Sequence, residues 1–189
     1  MCQILFWTGQ IAFCLSAMAA DADIKSVEGW SNSRWGMTRE EIAEVFKGQV
    51  VQLPKPEKFG YGEANTVIEQ IQLCGELFKV WFLEDPKTQA LKAVLIKPLK
   101  GEVQAGRDFL NPDTLFDGLH RLLIEKYGQP TVATDKKPDS TLRKRKMFSE
   151  WIFPHTIIEL DWTAYSEPLD WNFFSLQYRQ VDAAKLDKL

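Results

Sequence analysis

The sequence predicts an α+β protein of two αβββ units, whose antiparallel meanders form one sheet or two adjoining sheets with the helices on one face. A short amphipathic helix pattern occurs twice, and the two helix starts lie about 75 residues apart. Runs typical of half-buried antiparallel strands follow each helix. Each half alone would bury too little apolar surface, so we expect residues 20–189 to form a single domain in which two similar halves (35–99 and 109–181) share one core.

Residues 1–19 carry no charge and predict a secretory signal peptide. An apolar run from Ile4 to Leu15 precedes Ala17-Met18-Ala19, which has the small residues of a cleavage site. The run is shorter than the roughly twenty residues that span a bilayer as a helix. We therefore expect a secreted or periplasmic protein of the bacterial envelope, with no transmembrane segment in the mature chain. The alternative is an uncleaved anchor, because the start lacks a basic residue.

The net charge and the number of cysteines bear on which partners and which covalent cross-links the protein can have. The chain has 23 basic and 26 acidic residues, a net charge of −3, which argues against a nucleic-acid partner. Cys2 and Cys14 lie in the predicted signal peptide, so Cys74 would be the single cysteine of the mature chain, with no internal disulfide. We expect Cys74 to be a small buried residue near a strand end.

The first predicted helix begins with a capping box. Thr38 and Glu41 have the spacing at which each side chain satisfies a free backbone N–H group. Ile42 and Phe46 then form part of an apolar stripe, and Gly48 is expected to end the helix. The strand patterns that follow cover Val50–Leu53, Thr66–Leu73, Leu77–Leu83 and Leu91–Ile96, with Pro54-Lys55-Pro56 expected to break the first and a loop reaching to Gly62.

The second predicted helix has stronger boundary signals. Asn111 suits the cap, Pro112 suits the first turn, and Gly128 and Pro130 suit the end. Its expected core face carries Leu115, Leu119, Leu122 and Leu123. The segments after it are Thr131–Thr134, a polar turn over Asp135–Ser140, and strands over Leu142–Phe153, Thr156–Trp162 and Asn172–Val181.

Two short motifs carry a family resemblance. Gly36-Met37-Thr38-Arg39-Glu40-Glu41-Ile42 resembles the helix start of the small lipoprotein subunit of the outer-membrane β-barrel assembly machinery, and Tyr127-Gly128-Gln129-Pro130 resembles the end of the corresponding helix. A tandem pair of such units is the architecture of secreted β-lactamase inhibitory proteins. The resemblance implies the fold and an envelope or secreted setting, and it assigns no functional residue. The chain departs from these families because Cys14 follows Phe13 rather than a small residue, and the inhibitor's disulfides are lacking.

No motif for catalysis, metal binding or a cofactor stands out. The two histidines, His120 and His155, have no metal-ligand spacing, and we predict neither a metal nor a cofactor. Glu159 and Asp161 share one face of a predicted strand, with side chains roughly 7 Å apart. Such a carboxylate pair is compatible with a cryptic hydrolase site, although alternating acids are also typical of a half-exposed strand.

Two groups of residues are the candidates for binding. The basic run Arg143, Lys144, Arg145 and Lys146 suits an anionic surface, or else protects a sheet edge. Trp151 and Trp171 are candidates for a protein or glycan surface, should both be exposed. The sequence thus predicts a non-catalytic binding protein whose partner is an envelope protein or an anionic envelope component. The alternatives are a hydrolase with a cryptic carboxylate site and an anionic-surface binder that uses the basic run.

Overall fold

The computed structural model describes residues 26–99, 112–139, 144–165 and 171–181. The predicted signal peptide, Asn111 and Arg143 lie outside these ranges. The elements, in chain order, are α1 (Arg39–Val45), β1 (Val51–Phe59), β2 (Gly62–Leu73), β3 (Glu76–Glu84), β4 (Leu91–Pro98), α2 (Pro112–Tyr127), β5 (Val132–Asp139), β6 (Lys144–Ile152), β7 (Thr156–Tyr165) and β8 (Trp171–Gln180).

The eight strands form one antiparallel sheet, in the order β1-β2-β3-β4-β8-β7-β6-β5. The predicted class of two αβββ units is therefore wrong: the protein is mainly β, and each of its two helices precedes four strands rather than three. Two meanders meet at their last strands, where β4 pairs with β8 in the middle of the sheet. The similarity of the two halves in sequence stays a prediction.

The two edge strands of the sheet, β1 and β5, are longer than the sequence patterns predict. Strand β1 continues through Pro54 and Pro56 to Phe59, with a register shift between Gln52 and Glu57, instead of breaking into a loop. Strand β5 likewise continues through the expected polar turn to Asp139. Proline is tolerated there because an edge strand has neighbours on one side, so a missing N–H group need not interrupt the ladder.

Both helices pack on the same face of the sheet. One buried cluster joins Ile42 and Phe46 of α1 and Leu115, Leu119 and Leu123 of α2 to the apolar side chains of the central strands. The capping box of α1 is confirmed: the backbone N–H of Glu41 donates to the Thr38 side chain, and the Thr38 N–H donates to the Glu41 carboxylate at 2.8 Å. The expected core face of α2 is corrected at one position, because Leu122 is 43% exposed.

Both helices end near the predicted glycines, Gly48 and Gly128, which have φ angles of +77° and +82°. Cys74 is half-buried in the β2–β3 turn, where a Cβ added at Gly118 of α2 would lie 3.1 Å from its Sγ atom. Burial raises the pKa of the Cys74 thiol, which keeps it protonated at neutral pH. Glycine at position 118 thus lets α2 approach this turn closely.

Candidate functional site

The other face of the sheet carries no helix, and we call it the helix-free face. A separate small cluster lies there, formed by Ala64, Leu83, Ala93 and Leu95, with Leu53, Phe59 and Trp81 packed against it. Strand register places the following side chains on the same face, from β3 across the sheet to β6: Lys79, Trp81, Leu95, Lys97, Ser175, Gln177, Arg179, Glu159, Asp161, Lys146, Phe148 and Glu150. Leu95, Ser175 and Gln177 are buried although no helix covers them, and the others are half-buried.

Four of these side chains form what we call the polar cluster: Glu150, Glu159, Gln177 and Arg179. Gln177, Glu159 and Glu150 lie directly opposite one another on β8, β7 and β6. The guanidinium of Arg179 donates to both carboxylate oxygens of Glu159, at 3.2 and 3.1 Å, and its Nη2 lies 3.8 Å from Glu150 Oε2. The three charged side chains are between 17% and 26% exposed, so water screens their interactions only in part.

The carboxyl group of Glu150 has a raised pKa. Burial and the negative charge of Glu159 raise the pKa of Glu150, and the opposing attraction of Arg179 does not cancel this. For Arg179, burial acts to lower the pKa, but the hydrogen bonds and negative charges around it raise the pKa overall. One guanidinium therefore serves two carboxylates, and it pairs more closely with Glu159.

Gln177 carries an unpartnered amide. The side chain is 7% exposed, and its Nε2 has no hydrogen-bond partner among the described residues. A buried amide N–H group without a partner costs about 1–3 kcal/mol. Because Gln177 faces the open side of the sheet next to Glu159, an acceptor atom of a ligand or a bound water at this point would relieve that cost.

Beside the polar cluster, the helix-free face contains a cleft of about 270 Å³. The residues that matter for its chemistry are Glu57, Phe59, Lys79, Trp81, Lys97 and Leu99. The irregular strand β1 forms one wall: Glu57 accepts a hydrogen bond from the Trp81 indole at 2.8 Å, and the rings of Phe59 and Trp81 are 5.8 Å apart, edge to face. The register shift that the prolines accompany in β1 thus helps to shape the cleft.

Of the two tryptophans proposed for a binding surface, Trp151 is not at the surface. Trp151 is 1% exposed and lies in the core, where its indole donates to the Gly128 carbonyl at 2.8 Å and its ring lies 5.7 Å from that of His120. Trp171 begins β8 opposite Tyr165, and its side chain lies outside what the structure describes. Trp151 therefore offers no surface to a partner, and Trp81 is the tryptophan that lines the cleft.

The basic run lies in and just before β6, and its two described side chains are already paired with acids. Arg145 lies 2.6 Å from Asp113 of α2, and its guanidinium stacks over Trp162. Lys146 lies 2.9 Å from Asp161 on the helix-free face. Lys144 pairs through its backbone with Asp139 of the edge strand β5. Arg145 and Lys146 therefore point to opposite faces and do not form one continuous patch.

Glu159 and Asp161 share the helix-free face as the alternation predicts, but each pairs with a cation, Arg179 and Lys146 respectively. Sequence reasoning missed Glu150, the carboxylate directly opposite Glu159, and the role of Gln177 and Arg179. In the sequence, the sign of these three residues is that each lies on the polar side of its predicted strand. Only the register of β6, β7 and β8 shows that these polar sides coincide.

The histidines do not join this site. His120 lies between the rings of Phe116 and Trp151 on the helix-covered face, and burial lowers its pKa. His155 lies in the β6–β7 turn and is 60% exposed. Over the described ranges, no group of three or more His, Cys, Asp or Glu residues is placed to hold a metal ion.

Neither helix in the part of the chain that the structure covers is long and apolar enough to cross a membrane. Comparison with protein families, with curated proteins and with solved structures finds no match to this chain. The resemblance to envelope lipoproteins and to β-lactamase inhibitory proteins therefore stays a prediction.

Proposed function

We propose that this is a non-catalytic binding protein of the bacterial envelope, exported by its N-terminal signal, which engages its partner with the helix-free face. The observation that carries this proposal is the unpartnered, buried amide of Gln177 beside a charged cluster on an uncovered sheet face. Folding places this donor where no described residue satisfies it, and a partner with an acceptor atom would do so. The neighbouring cleft adds apolar contact area.

The test is a pull-down from an envelope extract with the mature chain, residues 20–189, cross-linked before lysis. We compare the wild type with Gln177→Leu, which removes the amide at nearly constant volume. Gln129→Leu makes the same change at an exposed position outside the face and is the matched control. We expect one enriched component that Gln177→Leu loses and Gln129→Leu keeps.

Two outcomes would contradict the proposal. The first is that the wild type enriches no component, and the second is that Gln177→Leu retains the component at the wild-type level. Gln177→Leu should melt no lower than the wild type, because it removes a buried amide without a partner, so a loss of binding in this variant is not a loss through unfolding.

A hydrolase remains the second candidate function, because one observation favours it. Glu150 has a raised pKa and lies opposite a second carboxylate, Glu159, which is the arrangement that general acid catalysis needs. The contact with Arg179 argues against it, since the guanidinium already donates to both carboxylate oxygens of Glu159. A screen for hydrolysis of glycosides and esters distinguishes the hydrolase from the binding protein. A hydrolytic activity that Glu150→Gln abolishes would favour the enzyme.

A further inference from the structure

The polar cluster has hydrogen-bonding capacity of two kinds that its own members do not use. Gln177 Nε2 is a donor without a partner among the described residues. Glu150 offers acceptors, since a carboxylate has about four lone-pair sites, and Arg179 Nη2, 3.8 Å from Glu150 Oε2, lies beyond hydrogen-bonding distance. Protonated Glu150 uses one hydrogen bond with Glu159. A ligand that fits this place therefore accepts from Gln177 and donates to Glu150.

Charges of both signs lie within the cluster, and this favours a neutral ligand. Arg179 is positive, and Glu159 and Glu150 are negative when ionised, at 3.1 and 3.8 Å from the guanidinium. The next charged pair on this face, Lys146 and Asp161, is closed at 2.9 Å. An added anion would face the carboxylates, and an added cation would face the guanidinium, with the cost of removing that charge from water. A hydroxyl group donates and accepts without a net charge.

An aromatic ring and aliphatic side chains lie beside the cluster. Tyr61, in the turn between β1 and β2, is 51% exposed. Burial acts to lower the pKa of Arg179, whereas Glu159 and Tyr61 act to raise it, so Tyr61 lies within electrostatic range of Arg179. On the side toward β6, Ile157 lies directly opposite Arg179, and Ile152, which is 40% exposed, lies opposite Ile157. The cluster is therefore bordered by apolar surface.

This combination matches a pyranose ring. A neutral sugar has hydroxyl groups around its rim and C–H groups on its faces, so it can hydrogen-bond to polar side chains while a face lies on an aromatic ring, whose negative face attracts C–H groups. A peptide is a poorer match. Strand β8, which carries Gln177, is paired on both sides, with β4 and β7, and leaves no free ladder to which a peptide backbone could add.

We propose that the polar cluster binds a neutral sugar residue of a glycan, with hydroxyl groups between Gln177 and Glu150 and a face of the ring against Tyr61. The hydrogen bonds between Arg179 and Glu159 stay in place when the sugar binds. The inference rests on the proposed binding role of the helix-free face and names the ligand class for it.

The experiment follows the side-chain amide signals of Gln177 by NMR in the ¹⁵N-labelled mature chain, with Gln177→Leu to assign them. Maltotriose, cellotriose and triacetylchitotriose are the neutral probes, and tetraethylene glycol, which lacks vicinal hydroxyl groups, is the control. We expect a saturable shift with at least one neutral trisaccharide and none with the glycol. Cationic chitotriose and anionic trigalacturonate should bind at least about tenfold more weakly than that trisaccharide.

Two matched pairs of variants test the contacts. Tyr61→Phe keeps the ring and should bind like the wild type, whereas Tyr61→Ala should bind about tenfold more weakly. Glu150→Ala removes the acceptor and should also weaken binding about tenfold. Glu44→Ala, at a glutamate of α1 that is 77% exposed, should leave binding unchanged. Spectra that superpose on the wild type away from the cluster show that each variant is folded.

Four results would overturn the inference: no saturable shift with any neutral trisaccharide, equal binding of the charged ones, or unchanged binding in Glu150→Ala or in Tyr61→Ala. If no trisaccharide binds while the pull-down still enriches a component that Gln177→Leu loses, the glycan inference fails and the binding role stands. A protein as that component then indicates a protein partner. If a trisaccharide binds as expected and the pull-down enriches nothing, the sugar site holds and the captured envelope partner fails.

Discussion

Buried polar side chains in this protein differ in how they are satisfied. Glu84 is 2% exposed, and it accepts hydrogen bonds from Arg39 and Asn65 at 3.0 Å each. Gln177 is buried to a similar degree, yet its amide nitrogen has no such partner among the described residues. Because both kinds of group lose hydration on folding, the difference marks Gln177 as a place where stability is given up. It is the residue at which we expect binding.

The raised pKa of Glu150 predicts how the free energy of unfolding depends on pH. Because its pKa in the folded protein is raised above the ordinary value of 4.5, the folded state holds this proton more tightly than the unfolded state. The free energy of unfolding therefore falls as pH rises through and above 4.5. Glu150→Gln removes this effect, so we expect the stability difference to move in favour of the variant between pH 4.5 and neutral pH.

Urea unfolding of the wild type and Glu150→Gln at matched pH values measures this difference. A difference that does not change with pH, or one that moves in favour of the wild type, would show that the pKa of Glu150 is not raised.

At the scale of elements, helix α2 shows how the sheet selects among leucines. Leu119 is 2% exposed and Leu122 is 43% exposed, although both belong to the apolar stripe that the sequence predicts. The buried stripe is centred on Leu115, Phe116, Leu119 and Leu123, which places Leu122 at its border. Helical periodicity gives the width of an apolar stripe, but the docking angle on the sheet decides which border residue faces water.

The two leucines form a matched pair of tests. We expect Leu119→Ala to lower the free energy of unfolding by about 2–5 kcal/mol, because it leaves a cavity in the core. Leu122→Ala removes the same atoms from a half-exposed site and should change it by less than about 0.5 kcal/mol. Chemical denaturation of both variants gives the two values. Equal losses would mean that α2 is rotated relative to the structure described.

At the scale of the whole molecule, the pairing of β4 with β8 joins the two meanders. The joint contains Ile96 opposite Leu176 and Leu95 opposite Gln177, and all four side chains are buried. The polar cluster and the cleft lie on either side of this joint, so the arrangement of the helix-free face depends on both halves of the chain. Separating the halves would expose two apolar edges at which other strands can pair.

We therefore predict that residues 26–99 and 112–181 do not fold as separate monomers. Each fragment would end in an unpaired strand, β4 or β8, with a row of free backbone groups and apolar side chains. Size-exclusion chromatography and thermal unfolding followed by circular dichroism should show aggregates or unfolded chains. A monomeric fragment with a cooperative melting transition would contradict this prediction.

Much of the local structure could be predicted from the sequence. The capping box at Thr38 and Glu41, the glycines at the helix ends, the alternation that gives β2, β7 and β8, and the apolar runs that give β3 and β4 are all local patterns. Each depends on residues a few positions apart, so a single sequence contains the relevant physical chemistry. Pro54 and Pro56 are local signals too, but whether they break a strand depends on whether that strand lies at an edge.

The sequence by itself determined the helix boundaries, the central strands and the polar character of their outer faces. Only the tertiary structure decided that the strands form one sheet, that Trp151 is buried, and that Glu150, Glu159, Gln177 and Arg179 meet. The physical reason is the separation along the chain over which each interaction acts. Local propensities act within a turn or a strand, whereas strand register and helix docking depend on burial between segments that are many tens of residues apart.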